Sequence, residues 1–483
     1  MTLPVVVVVD DAGAAVDAGK PKRVLSLAHF VFVAFFLTCG GPFGLESAVQ
    51  AGGVLLTLAG LILLPFLWAV PQSLMTAELS SMMSVNGGSL VWVWRALGNC
   101  AGVANAYNSL ASALVDLCLY PNLIVGYLSF LQLSDAQAYA AKIAILLVVT
   151  LCNAVGLSVV GSVSLVLMVV SCGVFVVEIP FAATVLPAAD FLAIPEHVQW
   201  SLLSSVLLWS STGWDALSNF AGEVRNPTRT YPLGIALAML AGTAANVIPI
   251  VVSYALLPDA SAWGDDAFLV AAQRISGHGW LVVWVIVAAI LANLGQLLAG
   301  MAANSRMMSA MGASNKDDGI QTRTLPKILG RICPRFGTPL NALSVQFVVA
   351  AVIAYFDFQV LVQFLALLNC FRLALEFAAF IVLKYREPLA ERPFVVPGGL
   401  VGAWVITVVK TAILAFIVGS IALAYPMVVV IATVVNGAIV TVAYWAGDGC
   451  VRTDATSSAS SSPLPEATAD SSMSSASIPS VFC

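Results

Sequence analysis

Residues 39–44 read Cys39-Gly40-Gly41-Pro42-Phe43-Gly44, in the middle of an apolar run from 27 to 50. A proline inside a helix removes an amide donor and clashes with the preceding turn. Each glycine makes the helical state dearer by about 1 kcal/mol relative to alanine. Together they predict that the helix stops here and leaves backbone amides and carbonyls free. In water that would be a loop. Its apolar surroundings place it elsewhere.

The chain has 483 residues, of which 60% are hydrophobic and only 9% charged. A soluble domain carries about 25% charged residues, enough to cover its surface. This chain has no such cover, so lipid is its solvent. The fold class is an all-α membrane protein. About twelve apolar runs approach the length of about 20 residues needed to span hydrocarbon. They fall near 27–50, 54–79, 101–130, 139–157, 161–186, 200–222, 231–257, 280–309, 340–356, 359–383, 400–421 and 424–446.

The net charge is -5, but the placement of charge is more telling. Lys20, Lys22, Arg23, Arg95, Arg225, Arg229 and Arg306 fall between spans on the side shared with the N-terminus. So do the basic residues of 312–338 and Lys384, Arg386 and Arg392, whereas the opposite side holds only Lys142 and Arg274. This bias predicts cytoplasmic termini in a multi-pass protein. The expected parts are a cytoplasmic tail at 1–23, a membrane domain at 24–448 and a disordered Ser-rich tail at 449–483. Asp10, Asp11 and Asp17 argue against a cleavable leader.

No segment is large enough for a soluble catalytic domain. His29, His197 and His278 are scattered without metal-ligand spacing, and the nine cysteines form no metal or disulfide pattern. No enzyme activity, metal, organic cofactor or nucleic-acid partner is expected. The surroundings are membrane lipid and the work is done inside the helical bundle.

The sixth span contains Ser210-Ser211-Thr212-Gly213, a weaker helix breaker at the depth of the first. Two interrupted spans, five apart, point to a secondary transporter built from inverted repeats, with its site at the breaks. Two ordinary kinked helices are the alternative, since glycine and proline are common in spans. Ionisable groups inside the membrane cost about 2.5 kcal/mol or more and call for a use or a partner. They are Glu46, Asp116, Glu178, Asp215, Arg372, Glu376 and Lys410. The acids outnumber the bases, which suits a cationic cargo, and a buried carboxylate can carry a coupling proton. Asp116, Glu178, Asp215 and Glu376 are the candidates for that proton. Glu376 is also a natural intrahelical partner of Arg372 at i and i+4. Lys410 either snorkels or pairs. Trp209 and Trp214 flank the second break, where their rings can attract an ammonium group or simply pack.

In order, Gly40-Gly-Pro-Phe-Gly-Leu-Glu46, Trp68-Ala-Val-Pro71, Thr76-Ala-Glu-Leu79 and Asn86-Gly-Gly-Ser-Leu-Val-Trp92 lead into Asp116 with Leu119-Tyr-Pro121. Trp214-Asp215, Ala221-Gly-Glu-Val224 and Arg335-Phe-Gly-Thr-Pro339 follow. As a set these resemble the amino acid–polyamine–organocation superfamily, and within it the polyamine:proton symporters of plants and trypanosomatids. Two positions depart from that branch: Met83-Ser-Val85 stands where Phe-Pro is usual, and Gln72 where an acid is common. The resemblance implies a leucine-transporter-like fold of five plus five inverted helices and two more, with helices 1 and 6 interrupted. It implies proton-coupled uptake of putrescine, cadaverine or spermidine by alternating access; the acidic candidates argue against a neutral amino acid and leave arginine and lysine as the alternative cargo. The substrate positions it implies are Gly40, Gly41, Gly44, Glu46, Asp116, Tyr120, Trp209, Trp214 and Asp215. The plasma membrane is the expected location. A non-transporting nutrient receptor is disfavoured by the short C-terminal tail.

Overall fold

The structure is a computed structural model. It describes residues 8–9, 15–16, 25–39, 41–83, 89–128, 131–155, 157–185, 189–214, 217, 224–264, 266–275, 279–312, 324–333 and 336–458. The membrane part is helical. Its elements are α1 (Leu27–Thr38), α2 (Glu46–Leu64), a π-helical turn (Pro65–Ala69), α3 (Val70–Met82), α4 (Ser89–Leu97), α5 (Asn99–Gly126), α6 (Asp135–Val155) and α7 (Leu157–Val185). Then come α8 (Trp200–Trp209), α9 (Pro227–Leu256), α10 (Ala267–Gln273), α11 (Gly279–Gly312), α12 (Leu340–Ile353), α13 (Phe358–Arg386), α14 (Gly399–Ala424) and α15 (Pro426–Ser458). In the N-terminal tail Val8–Val9 pairs with Ala15–Val16.

Among the described residues, 7 helices are long and apolar enough to cross a membrane, and shorter apolar helices stand at Leu27–Thr38, Val169–Val185, Trp200–Trp209, Leu340–Ile353 and Pro426–Val442. Glu46–Met82 is one hydrogen-bonded run. Gly53 divides it, with φ 74 and ψ 170, at the turn expected between the first two spans. α15 continues past the boundary expected at residue 448. Leu240, Val283, Val348, Val401 and Val434 are exposed on outer helix faces, as lipid contact requires.

Both predicted breaks are present. α1 starts on an N-cap, Ser26, whose hydroxyl accepts from the His29 amide. It ends at Thr38, and the chain turns through Gly41 at φ 120 and Gly44 at φ 100 before α2 begins. α8 ends at Trp209 and the chain leaves it through Gly213 at φ 103. The two interrupted segments meet again at their far ends, where Leu25 bridges Val224 in parallel.

Buried charges hold the frame. Glu78 on α3 receives Lys384 at 2.7 Å, Arg392 at 2.8 Å and the Val396 amide at 2.8 Å. Truncating one partner of such a network leaves the others buried and uncompensated. Lys410 on α14 does not snorkel. It is fully buried, and its Nζ donates to Gln72 Oε1 at 2.9 Å and to the Trp68 carbonyl at 3.1 Å, over the Trp68 ring. The carbonyl belongs to the π-helical turn, so the lysine pins α14 to the irregular part of the second span. Gln72 is therefore the neutral partner of a buried cation.

Candidate functional site

A cavity of about 100 Å³ lies where the two breaks meet α5, α11 and α13. Leu37, Thr38, Cys39 and Gly41 of the first break line it, with Trp209, Ser210, Thr212 and Gly213 of the second. The end of α1 is anchored by Cys39, whose Sγ contacts the Gly242 carbonyl at 3.4 Å and Asn246 Oδ1 at 3.2 Å on α9.

The chemistry centres on Asp116. Tyr120, one turn later on α5, donates its hydroxyl to Asp116 Oδ2 at 2.9 Å. Trp209, the last residue of α8, donates Nε1 to Oδ1 at 3.0 Å. Each carboxylate oxygen thus has one neutral donor and spare lone pairs. The Tyr120 and Trp209 rings lie 6.2 Å apart, and Phe358 packs edge-on to Trp209 at 5.7 Å. A carboxylate framed by aromatic rings is a site for an organic cation, since charge and ring quadrupole act together.

Past Asp116 the bundle is closed by apolar rings. Phe43, Phe175 and Phe268 pack mutually at 5.3–5.7 Å, and Tyr127 joins Phe43 at 5.4 Å. Gly44 lies under the Trp209 ring, where a Cβ would come within 2.8 Å of it. In the other direction Ser112, Ser109, Asn304 and Ser89 continue the wall. By chain direction this leads to the end of the bundle at which α1 and α5 begin.

The wall carries a base as well. Arg372 on α13 lines the cavity and is held by Glu376 Oε1 at 2.9 Å and Asn369 Oδ1 at 3.2 Å. The intrahelical pair anticipated from spacing is present. Its guanidinium at the cavity is a new element, as are the amides Gln296, Asn304 and Asn369. Nothing in local spacing distinguishes such amides from ordinary helix-packing residues.

A profile of the family described as "Amino acid permease" matches residues 30–447. The chain belongs to the amino acid permeases, within the amino acid–polyamine–organocation superfamily. This permease is 35% identical over 411 residues to the polyamine transporter PUT1 of Oryza sativa subsp. japonica, covering 83% of this chain and 75% of the relative. It is 32% identical over 414 residues to a probable polyamine transporter of Arabidopsis thaliana, covering 85% of this chain and 84% of the relative. It is 31% identical over 402 residues to the polyamine transporter RMV1 of the same plant, covering 82% and 80%. The permease is a multi-pass membrane transporter and not an enzyme.

The expected substrate positions divide in three. Gly41, Asp116, Tyr120 and Trp209 come together at the cavity. Glu46, Gly44 and Trp214 do not line it. Glu46 folds back on its own break, accepting from the Gly44 amide at 2.6 Å and from the Tyr127 hydroxyl. There it sits at the start of α2, where a carboxylate meets the positive end of the helix dipole. Trp214 is 4% exposed in the core, with its Nε1 on the Ser211 carbonyl at 3.1 Å. Gly40 and Asp215 lie outside the described residues. The cavity is therefore less acidic than the sequence implied: among the described residues Asp116 is its lining acid and Arg372 its lining base.

Proposed function

We propose that this permease carries polyamines of the putrescine type, coupled to protons, by alternating access. Asp116 carries the reading: a carboxylate with no ion-pair partner among the described residues, at the meeting of both breaks and framed by Tyr120 and Trp209, matches a primary ammonium. The names of PUT1 and RMV1 agree with it. The proposed fold is twelve spans with a five-plus-five inverted repeat, in keeping with breaks at Thr38–Leu45 and Trp209–Gly213. The Lys and Arg bias supports cytoplasmic termini, and the plasma membrane is the proposed location. A terminal epitope reached by antibody in intact cells would overturn that orientation.

Arg372 favours a second reading. A cavity with Asp116 on one wall and Arg372 on another offers partners for both ends of an amino acid. Arginine or lysine would then be the cargo.

Proton coupling needs a carboxyl group that gains and loses its proton through the cycle. Glu178 on α7 is fully buried, and neither oxygen has a hydrogen-bond partner among the described residues. A negative charge placed there lacks compensation. Asp116 and the Arg372-linked Glu376 remain further candidates, as does Asp215.

One assay tests these points: uptake of labelled putrescine, spermidine and arginine by the full chain in liposomes, at two pH values, with and without a protonophore. Putrescine uptake is expected to rise with an inward proton gradient and to collapse with the protonophore. Competition by arginine and none by spermidine would establish the amino acid reading instead. Glu178→Gln is expected to keep putrescine exchange across the membrane while losing gradient-driven accumulation. Accumulation equal to that of the unmodified protein would remove Glu178 as the carrier.

A further inference from the structure

A diamine brings two ammonium groups, and the described cavity wall supplies one carboxylate. The second ammonium cannot turn toward Arg372, whose charge repels it. It needs acceptors elsewhere along the wall. The same face of α5 that carries Asp116 provides them one and two turns earlier.

Ser112 and Ser109 precede Asp116 by four and seven residues. Residues so spaced share one helix face. At 1.5 Å per residue they lie about 6 Å and about 10 Å from Asp116 along the axis. Both line the cavity and are 4% and 8% exposed. Neither hydroxyl has a hydrogen-bond partner among the described residues. Buried hydroxyls in a native protein are normally bonded, so orphaned ones at a cavity wall point to a ligand or to water. Asn304 lines the cavity from α11. Its Nδ2 reaches the Ala113 carbonyl at 3.4 Å, so its Oδ1 is the atom it has to offer. Three oxygens match the three donors of a primary ammonium.

We infer that Ser109, Ser112 and Asn304 form a second, uncharged subsite for the far ammonium of a linear diamine, and that their distance from Asp116 sets the preferred chain length. The inference rests on the polyamine reading above. With bonds of about 1.5 Å, a four-carbon diamine spans about 6 Å between nitrogens, the separation of Asp116 and Ser112. Two-carbon diamines fall short of Ser112, and longer ones extend toward Ser109. Neutral oxygens orient the far nitrogen without the hold of a second carboxylate, which leaves the substrate able to depart.

The test uses α,ω-diamines of two to six carbons and matched monoamines, as competitors of labelled putrescine uptake by the full chain in liposomes. The readout is the ratio of monoamine to diamine inhibition constants at each length. In the unmodified protein the ratio is expected to rise steeply once the spacer reaches four carbons. Ser109→Ala with Ser112→Ala is expected to reduce it about tenfold, the scale of hydrogen bonds to a charged group. Asn304→Asp places a charge at the subsite and is expected to raise it, and this variant decides the matter if the double variant does not fold. A ratio unmoved by the serine changes, or lowered by Asn304→Asp, overturns the subsite while leaving polyamine transport intact. If the unmodified protein takes up no polyamine, the polyamine reading fails and the subsite falls with it.

Discussion

Asp116→Asn is expected to lower the kcat/KM for putrescine by about 100-fold or more. Removing one partner from a buried charge pair costs about 3–5 kcal/mol, and each 1.4 kcal/mol is about a factor of ten. The substitution also disturbs the site it leaves behind. Asp116 accepts from the Tyr120 hydroxyl at 2.9 Å and from Trp209 Nε1 at 3.0 Å. An asparagine has one oxygen, so one of those two donors would meet an amide NH2 group. Asp116→Glu keeps the charge and displaces it, and a partial loss is expected. Trp209→Phe keeps a ring and removes one donor, so its effect is expected to be smaller than that of Asp116→Asn. Uptake kinetics on equal amounts of reconstituted protein check the order. Putrescine kcat/KM within threefold of the unmodified value for Asp116→Asn would take Asp116 out of the binding site.

The parts of this permease that were legible in the sequence are those decided within a few residues. Gly40–Gly44 breaks a helix because proline and glycine act on their own turn. The helices lie close to the runs first marked, because hydrocarbon imposes a length. Arg372 and Glu376 pair because i and i+4 share a helix face, and they are 2.9 Å apart. What was not legible depends on partners far along the chain. Glu46 next to a break looks like a ligand to substrate until the Tyr127 hydroxyl, 81 residues away, is seen to meet its carboxylate. Gln72 looks like a lost acid until Lys410, 338 residues on, is found donating to it. Trp209 and Trp214 flank the second break as equal candidates, yet it is Trp209 whose Nε1 reaches Asp116, because α8 ends on that residue and its ring comes to lie over Gly44.

Gly213→Ala is expected to cost about 3 kcal/mol or more of stability and to abolish transport. The glycine holds φ 103, where an L side chain pays about 1–2 kcal/mol. A Cβ there would come 2.2 Å from the Leu37 carbonyl oxygen and 3.2 Å from the Leu37 carbonyl carbon. Those are backbone atoms of α1, so no rotamer change relieves the clash, and forced separation of packed elements costs about 1–3 kcal/mol more. The contact explains how the second break exists without a proline. Ser210-Ser211-Thr212-Gly213 interrupts its span weakly on its own terms, but the segment is laid directly against the end of α1, and only a residue without a Cβ permits that approach. The two breaks are one seam, and Asp116 is bonded at its edge. Gly419→Ala, on α14 with nothing within 4 Å of the added carbon, is the control and is expected to be tolerated. Melting of the purified protein and putrescine uptake measured side by side check both. If Gly213→Ala melts and transports like the Gly419→Ala control, the seam between the breaks is not a close backbone contact, and the site must be assembled some other way.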